Sequence, residues 1–164
     1  MPAITAVLHT HNDALRLGRA LETLCPCDDI VIIDHGSNDD TLRVGREYGA
    51  RIVSASIVSA SKELDETRFI HGVADGWILC LDPRESLTEG LAAALFEWKL
   101  SPAPHSQSCF AVFQREETSA GWIQNPMPQT RLVPAGWNQW EGRLPASPSS
   151  VLSLDGELLR FAFP

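Results

Sequence analysis

Four short apolar runs, at residues 4–8, 30–33, 51–55 and 77–81, are each followed by a polar loop and a helix-forming segment, and this alternation most constrains the fold. Strands separated by helices pair in parallel through right-handed crossovers. The run W-I-L-C-L at 77–81 holds no polar residue, as expected of a strand covered on both faces. The first helix is expected over 15–24, with Asn12 or Asp13 as N-cap and Cys25-Pro26-Cys27 as its stop. A second is expected over 39–48, with Asp39 and Asp40 in the first turn and Gly49 beyond its end. A polar, partly amphipathic helix is expected over 61–73. The last opens after Asp82, with Ser86 and Glu89 in capping-box register and Leu91, Leu95 and Trp98 along one side.

After Leu100 the character changes. Residues 101–108 read as a loop and 109–114 as a strand, and 118–148 are rich in Trp, Pro, Gly and Asn. Segments 151–154 and 157–163 read as two short strands joined in a hairpin at Asp155-Gly156. The fold class expected is therefore α/β: a mostly parallel central sheet flanked by helices, with an irregular β-rich C-terminal part. No repeat or linker divides it, so 164 residues are read as one domain, long enough to bury a substantial core.

The formal charge of −8 excludes a general nucleic-acid binder, whose affinity comes mainly from Lys and Arg on phosphates. A nucleotide ligand stays open, since it needs only a local group of donors. No apolar run approaches the roughly 20 residues of a membrane span, and M-P-A-I-T does not begin a signal peptide. A cytoplasmic protein is expected, at most peripheral to the inner membrane. Cys25, Cys27, Cys80 and Cys109 lack zinc spacing and read as buried or loop thiols.

Two aspartates close buried strands at the same edge of the expected sheet. Asp34 follows V-I-I and precedes the tight H-G-S loop with Gly36, and Asp82 follows W-I-L-C-L. Ligands of open α/β sheets sit outside the carboxyl ends of strands. A carboxylate there can accept from a ribose or a base N–H, or hold a metal between diphosphate oxygens.

Together with these, I-T-A-V-L-H-T-H-N-D-A, D-I-V-I-I-D-H-G-S-N-D-D-T and W-I-L-C-L-D-P-R-E-S-L-T resemble, in order and spacing, the three signatures of family two glycosyltransferases of the GT-A fold. The late R-L-V-P at Arg131 and the closing L-D-G-E-L-L-R-F-A-F resemble pieces of a bacterial lipopolysaccharide-core subgroup. The resemblance implies a nucleotide-binding half at 1–100 and an acceptor-side half at 101–164. It implies transfer of a sugar from a UDP- or GDP-linked donor to a bacterial glycan or lipid-linked acceptor of the cell envelope. It places Thr10, Asn12, Asp34 and Gly36 on base and ribose, Arg68 or Lys62 on the nucleotide, and Asp82 on ribose or a Mn or Mg ion.

The sequence departs from that pattern at three points. His35 stands where a second aspartate is usual. Arg84 stands at the metal-binding aspartate, so either Arg84 neutralises the diphosphate, or Glu85 joins Asp82 on the metal, or catalysis is lost. The usual V-H-E segment is replaced by W-N-Q-W-E-G-R-L-P, which leaves Glu141 as the candidate general base, with Glu116 and Glu117 next. His9 and His11 flank Thr10 and either line the nucleotide pocket or are ordinary loop or rim residues, and His35, His71 and His105 lack metal spacing. Trp122, Trp137 and Trp140 could stack on a sugar or pack in the core. Two rivals stand beside the transferase: a catalytically lapsed nucleotide-sugar-binding or interaction module, and an unrelated nucleotidyltransferase. The second is disfavoured because no glycine-rich phosphate loop follows the first strand.

Overall fold

The computed structural model describes residues 1–55, 76–101 and 109–164. The helix expected over 61–73, with Lys62, Arg68 and His71, lies outside the described residues, as does His105. Strands β1 (Ile4–Thr10), β2 (Asp29–Asp34), β3 (Arg51–Ser54) and β4 (Trp77–Leu81) form the parallel block that the four apolar runs predict, in the order β3-β2-β1-β4. Its register sets Thr10 beside Asp34 and Leu8 beside Leu81, so the ends of β1, β2 and β4 meet at one edge.

The sheet continues through residues of the C-terminal part. Strand β8 (Gln129–Pro134) pairs antiparallel with β4, and β6 (Phe110–Thr118) pairs antiparallel with β8. Strand β11 (Leu152–Arg160) runs parallel to β6, and β5 (Glu85–Leu87) pairs antiparallel with β11. Strand β7 (Gly121–Gln124) pairs antiparallel with the C-terminal end of β6, and β9 (Trp140–Glu141) with β10 (Leu144–Pro145) forms a separate two-stranded ribbon.

Alternation along the strands splits the core in two. Ile4, Ala6 and Leu8 of β1 and Trp77, Leu79 and Leu81 of β4 join a cluster built with α1 (Ala14–Glu22) and α3 (Glu89–Leu100). Helix α2 (Thr41–Glu47) packs on the same side through Val44. Val7, Ile78 and Cys80 face the other way and are covered by Trp137, Trp140, Leu144 and Val151. All three described helices thus lie on one face, and the stretch around the β9–β10 ribbon covers the other. The thiols of Cys80 and Cys109 are buried, and all four cysteines are free.

Two expectations are corrected. The expected capping box at Ser86 does not form, because Ser86 belongs to β5; the N-cap is Thr88, whose hydroxyl accepts from Leu91 N–H at 3.2 Å. The hairpin at Asp155-Gly156 is instead a bulge within one continuous strand, β11, whose register with β6 shifts between Ser153 and Glu157. The D-G pair serves packing there. Gly156 adopts φ +84°, and a Cβ on it would lie 2.3 Å from the Leu91 nitrogen at the start of α3.

Gly156→Ala therefore combines an unfavourable left-handed residue with backbone overlap. A loss of about 3 kcal/mol or more is expected from the urea midpoint, whereas Gly36→Ala, with φ +82° but open space around it, loses about 1–2 kcal/mol.

Candidate functional site

The loops after β1 and β2 are fastened to each other at the carboxyl edge of the parallel block. Asp34 is 6% exposed and is the hub of this fastening. Its Oδ1 accepts from the Thr10 hydroxyl at 2.8 Å and the Ser37 hydroxyl at 2.5 Å, while Oδ2 accepts from Ser37 N–H at 2.9 Å and Gly36 N–H at 3.2 Å. Burial pushes the Asp34 carboxyl up, but these four donors outweigh it and hold the group below the usual carboxylate range. Around the hub, Asn12 N–H donates to Ser37 Oγ and Asn38 N–H donates to Asn12 Oδ1, both at 2.9 Å. Asn12 takes φ +52°, a left-handed conformation that asparagine tolerates better than most residues. Asp13 sits at the N-cap position of α1 without capping it, and accepts from His11 N–H at 2.8 Å instead.

Asp34 consequently has no lone pair left over for a ligand, because a carboxylate offers about four acceptor sites and all are taken. In the same network the Thr10 hydroxyl spends its one donor on Asp34 and the amide oxygen of Asn12 accepts from Asn38 N–H. His35, in the place of the usual second aspartate, bonds His9 ring to ring, with His9 Nδ1 and His35 Nε2 2.8 Å apart. The His35 carbonyl lies 2.9 Å from His11 Nδ1.

Asp82 behaves differently. Its side chain is 43% exposed, and its Oδ1 accepts the Arg84 N–H at 2.9 Å and stands 3.9 Å from the Arg160 guanidinium. It lies on the wall of a cleft of about 370 Å³ lined by His9, Leu81, Glu85, Arg131, Glu141 and Arg143, together with Leu144 and Arg160. A second cavity of about 320 Å³ shares His9, Asp82, Arg143 and Arg160 and adds His11, Asp13, Pro83 and Arg84. Asp82, Arg84 and Glu141, singled out from sequence, thus line adjoining cavities. Thr10, Asn12, Asp34 and Gly36 stand behind them and line neither.

The cleft rests on a buried ion pair. Glu85 is fully buried and receives Arg131 on both oxygens, Nη1 to Oε1 at 2.7 Å and Nη2 to Oε2 at 2.8 Å. Asp82 N–H donates to Oε1 at 2.8 Å and Gln114 Nε2 donates to Oε2. Arg131 also donates to the Cys80 carbonyl at 3.2 Å and to Gln129 Oε1 at 2.8 Å. A divalent ion at Asp82 and Glu85 does not fit this arrangement. Glu85 is committed to Arg131, and the remaining carboxylate, Asp82, shares a cavity wall with Arg84, Arg143 and Arg160. Among the described residues no group of three or more His, Cys, Asp or Glu is disposed to hold a metal. The expectation that Glu85 ligates Mn or Mg is corrected accordingly.

Other candidates disperse. Glu117 accepts from Ala162 N–H at 3.2 Å, and Glu116 faces Arg160 at 3.9 Å. Trp122 stands edge-on to Phe161 at 5.3 Å, whereas Trp137 and Trp140 cover the second core cluster. None of the three lines either cavity. The sequence does not single out Arg143 or Arg160, and it gives Arg131 no role in the site; His9, read as a pocket or rim residue, lines both cavities. Arg131 and Arg160 fall within the resembling R-L-V-P and L-D-G-E-L-L-R-F-A-F pieces, which assign them no contact, and Arg143 falls within none.

The fold resembles that of solved glycosyltransferases. Staphylococcus aureus TarS 1–349 in complex with UDP superposes with a TM-score of 0.53 at 15% identity, covering 73% of this chain and 37% of that one. The fold is GT-A. Glucosyl-3-phosphoglycerate synthase from Mycobacterium tuberculosis, in complex with Mn2+, UDP-glucose and phosphoglyceric acid, has a TM-score of 0.48 at 19% identity, over 70% of this chain and 44% of that one. No family model matches the sequence. A curated relative named an uncharacterized glycosyltransferase, from Rickettsia felis, is 26% identical over 117 residues. That alignment spans 70% of this chain and only 39% of the relative, so the chain covers well under half the length of the curated protein it matches. Among the described residues, no helix of this GT-A chain is long and apolar enough to cross a membrane.

Both the hub and the ion pair of this GT-A site can be tested through stability. Asp34→Asn is expected to lose about 1–3 kcal/mol at neutral pH by leaving N–H and hydroxyl donors poorly matched. Because the folded carboxyl titrates below its unfolded value, its contribution is complete above the unfolded value and fades as pH falls through the folded one. The gap between wild type and Asp34→Asn in urea should therefore narrow below about pH 4. Glu85→Leu or Arg131→Met alone should cost about 3–5 kcal/mol by stranding a buried charge, and the double substitution should cost clearly less than the sum.

Proposed function

We propose that the chain is a glycosyltransferase that moves a sugar from a nucleotide diphosphate sugar to an acceptor hydroxyl. The observation that carries this reading is the convergence of Asp82, Arg84 and Glu141 on adjoining cavities at the carboxyl edge of a GT-A sheet. The relatives named glycosyltransferase and the UDP complex of the TarS fragment support it. The half at 1–100 takes the nucleotide, with the fastened loops of Thr10, Asn12, Asp34 and Gly36 shaping the floor under base and ribose. The half at 101–164 faces the acceptor.

In the transfer, the acceptor oxygen forms a bond to the anomeric carbon while the bond from that carbon to the β-phosphate oxygen breaks. The electron pair leaves on the diphosphate, and the acceptor proton goes to Glu141. Attack opposite the leaving group inverts the anomeric centre. Asp82, half-exposed and lightly bonded, accepts from ribose hydroxyls. Arg84 neutralises charge on the departing diphosphate. The resemblance of the L-D-G-E-L-L-R-F-A-F segment, which overlaps β11 and contributes Arg160, supports a bacterial glycan or lipid-linked acceptor at the cytoplasmic side of the envelope.

A second reading is favoured by the withdrawal of Glu85 into its ion pair: a lapsed transferase that binds nucleotide sugars without turning them over. Calorimetric titration with UDP- and GDP-sugars, followed by chromatography of released nucleotide with glycan acceptors, separates the two. Binding with release, and a drop of about a hundredfold or more in release for Glu141→Ala at unchanged binding, is the expected outcome. Binding without release assigns the lapsed module, and no binding at millimolar concentration removes both readings.

A further inference from the structure

We propose that Arg84, Arg143 and Arg160 form a cationic cradle that holds the diphosphate of the nucleotide ligand without a divalent metal. The proposal rests on the nucleotide-sugar reading and deepens it by naming what this site uses where a metal does not fit.

The charge balance is the first support. The cavity beside the Asp82–Arg84 turn is lined by three guanidinium groups and two carboxylates, a local cationic excess in a chain whose net charge is −8. One of those carboxylates, Asp13, is already faced by Arg16 at 3.8 Å. An anion is the ligand such a wall selects.

Availability is the second. Arg84 and Arg143 line the cavity, and among the described residues neither guanidinium is held by a carboxylate or a carbonyl. Each brings five donors in a planar fork suited to paired phosphate oxygens. Arg160 stands 3.9 Å from each of Asp82, Glu85 and Glu116, beyond direct hydrogen-bond range, so a phosphate oxygen can compete for it. By contrast Arg131, on the floor of the adjoining cleft, spends its fork on Glu85 and is not part of the cradle.

Placement is the third. Arg84 is held in position by its own N–H on Asp82 Oδ1 and by Glu85 N–H on the Asp82 carbonyl, both at 2.9 Å, which closes a tight turn over Pro83. Its carbonyl accepts from Phe161 N–H at 2.9 Å, tying the turn to the residue after Arg160. Arg143 follows Gly142, whose φ of +64° makes the turn between β9 and β10. Two arginines on tight turns and one at a strand end thus meet across one cavity.

The test is titration calorimetry of the whole chain with inorganic pyrophosphate, UDP, GDP and uridine, in EDTA and in Mn2+. It uses wild type, Arg84→Ala, Arg143→Ala and Arg143→Lys, with melting curves to confirm folding of these exposed variants. Pyrophosphate and UDP are expected to bind equally well in EDTA and in Mn2+. Each alanine variant should weaken both by about ten- to a hundredfold and leave uridine binding unchanged, and Arg143→Lys should recover part of the loss. Binding that requires Mn2+, no pyrophosphate binding in EDTA, or full affinity in both alanine variants overturns the cradle. Failure of the nucleotide-sugar reading looks different: pyrophosphate binds through the arginines, but neither UDP nor GDP binds more tightly than pyrophosphate and uridine does not bind.

Discussion

The interaction on which the rest of the site depends is the buried pair of Glu85 and Arg131. Burying both charges is expensive, and the pair is tolerable only because each carboxylate oxygen receives a guanidinium N–H and a further donor. The groups that meet there come from four places in the sheet: the end of β4, β5, β6 and β8. The pair therefore fixes where β4 leaves the sheet and where β5 re-enters it beside β11. The turn between them carries Asp82 and Arg84, so the geometry of the cleft is set by an ion pair that lies at its floor.

The same pair separates two carboxylates that are close neighbours in the chain. Glu85 becomes part of the floor, and Asp82 stays half-exposed on the wall. A comparable division separates Asp34 from Asp82, although both close a parallel strand at one edge. Asp34 meets four donors from its own and the neighbouring loop and becomes a fastener, whereas Asp82 precedes a proline and an arginine and keeps its oxygens largely free. Position at a strand end is shared; the number of donors in reach decides which carboxylate is tied into the scaffold and which stays open.

The parallel block was legible because its signal is local. Each apolar run carries its own strand, and the loops after the first two carry the helix starts of α1 and α2. The C-terminal strands were harder. Asp155-Gly156 has the composition of a hairpin turn, yet its glycine answers to the approach of Leu91 in α3, a contact distant in the chain that no local pattern encodes. Likewise Ser86 satisfies a capping box in sequence, but pairing of β5 with β11 draws it into the sheet and leaves Thr88 to cap α3. Within the site, Asp82, Arg84 and Glu141 could be named from sequence, while Arg143, Arg160 and the Glu85–Arg131 pair come together only through the fold.

Arg84 stands at the position where the family resemblance implies a metal-binding aspartate, at the carboxyl edge of the GT-A sheet. The most direct measurement is a crystal structure of the chain grown with UDP in the presence of a chelator. The diphosphate is expected between Arg84, Arg143 and Arg160, with the ribose toward Asp82 and an intact Glu85–Arg131 pair beneath them. A diphosphate seated elsewhere, or a Glu85 carboxylate turned away from Arg131 toward the ligand, would contradict this account.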